Sequence, residues 1–288
     1  MRFELSQDQR DFAATLDGLL TSADAPTTAR AWAEGDHEPG LALWRKLAEA
    51  GVSGLLAEGY RLEHVIAMEA IGRHAAPGPW IESAAYLATC PETAEAAAEG
   101  VVATVAVPPH TPYALDADVA ELLLGGDVGE QVSSVDPVRR LFAVSGAPAA
   151  NDAAFDAAAL AASAQLLGAG ERMLADSVTY VQQRTQFGRQ IGSYQAIKHA
   201  LADVRIALDF ARPIVYGAAL DAISVSAAKV AAGDAAWLAA RTALQVHGAV
   251  GYTREHDLSL WLLRVRGLIA TWGTPAWHRA RVLELVTA

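Results

Sequence analysis

The sequence predicts a mainly α protein with an N-terminal helical domain over 1–99, a reduced middle β segment over 100–150 and a C-terminal four-helix bundle over 151–288. Three observations predict it. Apolar residues recur at helical spacing on both sides of the middle of the chain. The middle breaks into short β-branched runs divided by Pro, Gly and Asp. The C-terminal segments are rich in alanine, whose small side chain lets helix axes approach closely. With 288 residues and 52% hydrophobic composition, the chain can build a substantial core as one large domain or two ordinary ones.

The elements follow in order. Ser6 caps a first helix, with Gln9 three residues on completing a capping box. LALWRKLAEAG is a second helix that stops at Gly51, and YRLEHVIAMEAIGRHA is a third that PGPW breaks at Pro77 and Pro79. Between Gly100 and Gly146, VVATVAV, ELLLGG and RLFAVSG mark four or five short strands. That is few for a self-sufficient barrel or sandwich, so they form a small β insert leaning on helices. From Asn151 the helical signal returns. Leu167, Leu174, Val178 and Val181 share one helix face, and Ile197, Leu201, Val204 and Leu208 share another. A third helix is predicted near 218–247 and a last one near 274–285. Four such helices make an antiparallel bundle, and alanine-rich faces also suit subunit packing.

Bulk properties exclude several function classes. A net charge of −11 argues against a nucleic-acid surface, which needs a concentrated basic face. Cys90 is the single cysteine, so no internal disulfide and no thiolate metal cage can form. The first residues, MRFELSQDQRDF, lack the apolar core of a signal peptide, and the alanine-rich stretches are interrupted by charges. A cytoplasmic protein is expected. Eight histidines show no metal-ligand spacing, so no metal is expected, and no glycine-rich phosphate loop or Ser-His-Asp set can be assigned.

The densest chemical signal is RTQFGRQIG at 184–192, where two arginines, a phenylalanine and two glycines interrupt helical texture. Taken alone, it reads as surface charge at a helix–helix turn with Gly188 as a C-cap. Over 184–204, however, RTQFGRQIGSYQAIKHALADV resembles the acyl-CoA dehydrogenase family, whose C-terminal domain carries an R-x-x-F-G turn. QVHGAVGYTREHDL from Gln245 resembles the same family's Q-x-x-G-G block, and TWGTPAWHR follows at the family's spacing. LWRKLAEAG and EAIGRHAAPGP resemble its first domain.

The resemblance implies FAD as cofactor, shared with a partner subunit. It places Arg184 across a subunit interface at the FAD pyrophosphate, where a guanidinium's planar fork suits paired phosphate oxygens. Phe187 would lie by the adenosine half, with Gln186, Ile191 and Tyr194 nearby. Gln245, Val246, Gly248 and Ala249 would approach the same half of the cofactor. In this block Ala249 replaces the second glycine of the family's pair, which would crowd the cofactor.

The catalytic side departs from the family. The base position of the family's Y-E-G-T motif holds Trp272, in Thr271-Trp272-Gly273-Thr274, and indole cannot take a proton from carbon. The alternative base position, on the helix before the R-x-x-F-G turn, holds Ala158, and Ala159 stands where Arg usually follows. No catalytic residue is therefore expected in this chain. Asp152 and Asp156 are substitute carboxylates to weigh, and His247 and His256 substitute acid–base groups. The middle segment has about half the family's length, and the loop between the first helices is cut to AEGY at 57–60.

These losses resemble the short subunits of heteromeric actinobacterial acyl-CoA dehydrogenases. That resemblance implies an α2β2 assembly with a longer, Glu-bearing subunit and a steroid-derived acyl-CoA. Trp261, Trp272 and Trp277 are read as bundle core or subunit interface, with Trp272 alternatively plugging a vanished acyl-CoA site. Two rival readings remain open: a catalytically dead acyl-CoA- or flavin-binding or structural homodimer, and an independent enzyme using Asp156 or a histidine.

Overall fold

The computed structural model describes residues 4–148, 151–221 and 223–287; the expected segment ends at 1, 150 and 288 lie outside them. Helix α1 (Gln7–Ser22) begins at the expected capping box, with Gln9 N donating to Ser6 Oγ at 3.2 Å and Ser6 N to Gln9 Oε1 at 2.9 Å. Helix α2 (Ala25–Ala33) was not legible, being short and begun by Pro26. Helices α3 (Glu38–Glu49) and α4 (Arg61–Arg73) match the second and third expected helices. Gly51 takes φ +85° just after α3, a conformation cheap only for glycine. Beyond Pro77 and Pro79 the chain turns helical again through a π-helical stretch, Glu82–Leu87, followed by α5 (Ala94–Ala98).

Five short strands follow, as expected, but in two separate sheets. Strand β1 (Ala103–Val105) pairs parallel with β3 (Leu122–Leu124). Strands β2 (Ala114–Leu115), β5 (Leu141–Val144) and β4 (Val128–Val132) form an antiparallel sheet in the order β2-β5-β4. The insert is anchored to the helices: Trp44 Nε1 donates to Gly100 O at 2.7 Å and Trp32 Nε1 to Asp116 Oδ1 at 3.0 Å.

Helix α6 (Asp152–Gln183) is the axis of the molecule, packed by α4, α7, α8 and α9. By length and a mean hydropathy of 1.2 it could cross a membrane, which corrects the expectation that no segment is apolar enough. Inside the fold, 83% of that stretch is buried, so its apolarity serves the core. Glycines permit the closest approach: a Cβ on Gly168 would lie 1.9 Å from Glu69 O of α4, and one on Gly72 2.1 Å from Gln165 O of α6. Of the four residues assigned to the buried face of α6, Val178 instead is 37% exposed.

Helix α7 (Gln195–Ala219) ends before a turn, and α8 (Val225–His247) starts after it, so the expected helix at 218–247 begins later than read. Helix α9 (Leu258–Ala270) was missed, and α10 (Pro275–Thr287) is the expected last helix. The fourth bundle helix beside α6, α7 and α8 is α9, whereas α10 packs chiefly on α8. Helix α9 is buried on most sides, through Leu258, Leu260, Trp261, Arg264, Val265 and Leu268, which blurs its helical period.

Candidate cofactor-binding site

RTQFGRQIG folds as a projecting β-hairpin. Arg184 ends α6, its N–H donating to Tyr180 O at 2.9 Å, and β6 (Thr185–Gln186) pairs antiparallel with β7 (Arg189–Gln190). The turn residues Phe187 and Gly188 both have positive φ, +53° and +80°, as a two-residue turn matched to strand twist requires. Gly188 is thus a hairpin-turn residue and not a helix C-cap. Phe187 is 92% exposed in a left-handed conformation that costs a non-glycine residue about 1–2 kcal/mol.

Arg184 is exposed and has no carboxylate partner among the described residues. Gln186 is exposed beside it, and Ile191 begins a short 3-10 turn. Arg189 lies 3.9 Å from the ring centroid of Tyr194, so that ring face is already covered within the chain.

The second block sits at the end of α8. Gln245 and Ala249 are exposed, and Gly248 ends the helix with φ +61° and open space around it. Val246, by contrast, has its side chain buried in the fold, so that only its main chain could face a ligand. Tyr180 and His247 stack with ring centroids 4.4 Å apart, and Tyr180 OH donates to His247 O at 3.4 Å. This stack brings the two blocks together, since Tyr180 shortly precedes Arg184 and His247 shortly follows Gln245.

The histidines here are structural. His247 is buried, its Nδ1–H donates to Ala243 O at 2.8 Å, and burial lowers its pKa. His256 Nδ1 accepts from Leu258 N at 3.2 Å.

The two positions where the resemblance implies a base, Trp272 and Ala158, are buried. Trp272 is fully buried with φ +58°; its ring stacks on Tyr86 at 5.3 Å and meets Phe155 edge-on at 5.8 Å. Its backbone N–H donates to Thr111 Oγ1 at 3.2 Å, and its backbone carbonyl accepts from His278 Nε2 at 2.8 Å. Lys229, buried, donates to Leu268 O and Ile269 O at 2.9 and 3.1 Å and so holds the end of α9 from which this turn springs. Ala158 is also fully buried.

Asp156 is engaged by Arg281 at 2.6 and 3.2 Å, and Asp152 lies exposed in the first turn of α6. The carboxylate the sequence reading missed is Glu82, fully buried, with its pKa raised by burial against the pull of Arg139 at 3.9 Å. Its only sequence signal was an acid inside an apolar run, and it borders, with Thr111 and Arg139, a small cavity of about 170 Å³. Among the described residues, no group of three His, Cys, Asp or Glu side chains could hold a metal ion.

Comparison with known proteins places this geometry. The family model "Acyl-CoA dehydrogenase, C-terminal domain" matches residues 145–286. Acyl-CoA dehydrogenase IpdE2 of Mycolicibacterium smegmatis is 30% identical, over 94% of this chain and 96% of that protein. The chain belongs to the acyl-CoA dehydrogenase family.

Members of this family are FAD-dependent oxidoreductases acting on CH–CH bonds. Two solved structures share the acyl-CoA dehydrogenase fold. The ChsE4–ChsE5 complex from Mycobacterium tuberculosis superposes with a TM-score of 0.76 at 20% identity, covering 100% of this chain and 99% of that one. The Tcur3481–Tcur3483 steroid ACAD gives 0.82 at 21% identity, covering 98% of each. Both are complexes of two named components.

The residues present fit FAD on one side only. An unpaired guanidinium, an outstretched phenyl ring, an exposed amide and an open glycine suit the phosphate and adenosine end of a dinucleotide. Around Trp272, by contrast, Tyr86 and Phe155 pack against the indole ring.

Proposed function

We propose that this chain is the subunit lacking a catalytic base in a heteromeric acyl-CoA dehydrogenase, and that it completes the FAD site of a longer, Glu-bearing partner in an α2β2 assembly. The observation that carries the reading is an asymmetry. The residues suited to a neighbour's cofactor stand exposed at Arg184, Phe187 and Gln245, while the chain's own base positions are Trp272 and Ala158, both buried.

When bound, FAD supplies the hydride acceptor for α,β-dehydrogenation. Arg184 would hold the pyrophosphate with two charge-assisted hydrogen bonds, and Phe187 and Gln186 would border the adenosine half. Gln245 would offer its amide, and Gly248 a main chain uncrowded by a side chain. The α-proton would go to the partner's carboxylate, since the positions where the family resemblance implies a base hold Trp272 and Ala158 here. A steroid-derived acyl-CoA is the proposed substrate class, in keeping with the steroid ACAD among the fold's neighbours. The cytoplasm is the proposed compartment.

Co-expression with a longer Glu-bearing subunit tests this. The visible spectrum is expected to show flavin only in the complex. Arg184→Ala should weaken flavin retention about 10–100-fold, as losing a hydrogen-bonded charge pair worth about 1.5–3 kcal/mol implies. A chain that stays colourless and ignores the partner would be a structural module. One that binds flavin alone as a homo-oligomer would have its own site.

A further inference from the structure

Between α8 and α9 lies a groove of about 330 Å³ that neither the base positions nor the hairpin uses. Trp237, Leu244 and Leu262 give it an apolar lining, and Tyr252 stands at its edge, 76% exposed. Three arginines, Arg241, Arg254 and Arg266, border it. All three are exposed, and none is paired with a carboxylate among the described residues. Elsewhere on the surface, Arg45, Arg61 and Arg279 pair with Glu38, Asp221 and Asp234. Three unanswered guanidiniums around one groove are notable in a chain of net charge −11.

The rim is held in place before any contact is made. The Arg266 guanidinium lies 5.8 Å from the Trp237 ring centroid. The Arg254 carbonyl accepts from Arg30 Nη1 at 2.8 Å and Ser259 Oγ at 3.1 Å. A Cβ on Gly251 would lie 3.1 Å from His247 Cβ, so the Gly248–Tyr252 turn is packed against the end of α8.

We infer that this groove docks the longer subunit, receiving a segment with an apolar side chain flanked by carboxylates. Tryptophan, tyrosine and arginine are the residue types that carry most of the energy in protein interfaces. A lone small anion would gain little from guanidiniums standing in water, whereas a chain segment covering the groove excludes that water and strengthens each pair. Continuity points the same way. Gly251 and Tyr252 belong to the turn that begins at Gly248, which the proposed function already sets against the partner. The inference rests on that heteromeric reading.

The test uses the purified complex with Trp237 replaced by the photo-crosslinking residue benzoylphenylalanine. Irradiation should join position 237 to a peptide of the longer subunit containing Asp or Glu. Attachment to a second copy of this chain, or no attachment within an intact complex, would overturn the inference.

A companion variant, Arg241→Glu/Arg254→Glu/Arg266→Glu, should keep the thermal midpoint of the isolated chain. It should also weaken association at low salt at least tenfold and flatten its salt dependence. Unchanged association would equally overturn it. Failure of the cofactor reading looks different: flavin content indifferent to Arg184→Ala while the crosslink to the longer subunit persists.

Discussion

His64 is buried on α4 with neither ring nitrogen hydrogen-bonded, and burial lowers its pKa to about 4 from 6.5. As pH falls through that interval, the unfolded chain takes up a proton that the folded chain refuses, so stability is lost. Replacing an unpartnered polar ring by an apolar side chain removes the loss. The advantage of His64→Leu over the parent should therefore grow by about 3 kcal/mol between pH 7 and pH 4, from 1.36 kcal/mol per pKa unit. Urea titrations at the two pH values measure it, and a constant difference would contradict it. Asp116, buried with its pKa raised to about 7, pulls the opposite way: the folded state keeps a proton that the unfolded state releases above pH 3.8. Both proteins carry it, so it cancels. Trp272→Glu should not create a dehydrogenase, because the new carboxylate would fall between Tyr86 and Phe155 without a partner. A stability loss of about 3 kcal/mol or more, read by thermal melting, and no turnover in the isolated chain are the expected results.

Helix contacts carry their own tests. Gly168→Ala would drive a methyl to within 1.9 Å of Glu69 O and should cost about 3 kcal/mol, because α4 and α6 would have to separate. Gly233→Ala, within α8 where a Cβ meets nothing within 4 Å, should instead stabilise by about 1 kcal/mol through helix propensity. Denaturant midpoints of the pair distinguish close approach from propensity. In the hairpin, Phe187→Gly should stabilise the chain by up to about 1 kcal/mol by relieving the left-handed strain, yet loosen flavin in the complex. A Phe187→Gly complex that keeps its flavin unchanged would remove Phe187 from the cofactor site. At this scale, helices with one apolar face were legible: the capping box of α1, the stop of α3 at Gly51 and the face of α7 all stand where the residues put them. Helix α9 was not, because burial on most sides erases the period, and α2 is too short to show one.

For the molecule as a whole, apolar side chains remain in water at Phe187, Phe210, Tyr252, Leu283, Leu285 and Val286. Such exposure fits a chain completed by others. A partner at 100 times its dissociation constant adds about 2.7 kcal/mol by mass action. The melting midpoint should therefore rise by about 5 °C or more when the longer subunit is added, and do so with concentration. A midpoint insensitive to the partner would argue for a self-contained module.

By itself the sequence determined the family and the helix–insert–helix order, and it shows Trp272 and Ala158 where the family resemblance implies a base. These depend on residue identity and on spacing along the chain. Only the tertiary structure decided that RTQFG is a hairpin, because Phe187 must accept a positive φ that its type disfavours. It likewise turned Val246 inward and paired Asp156 with Arg281. The sealing of Trp272 between Tyr86 and Phe155 is again tertiary: these residues come from three distant segments, and no local pattern records that their rings meet.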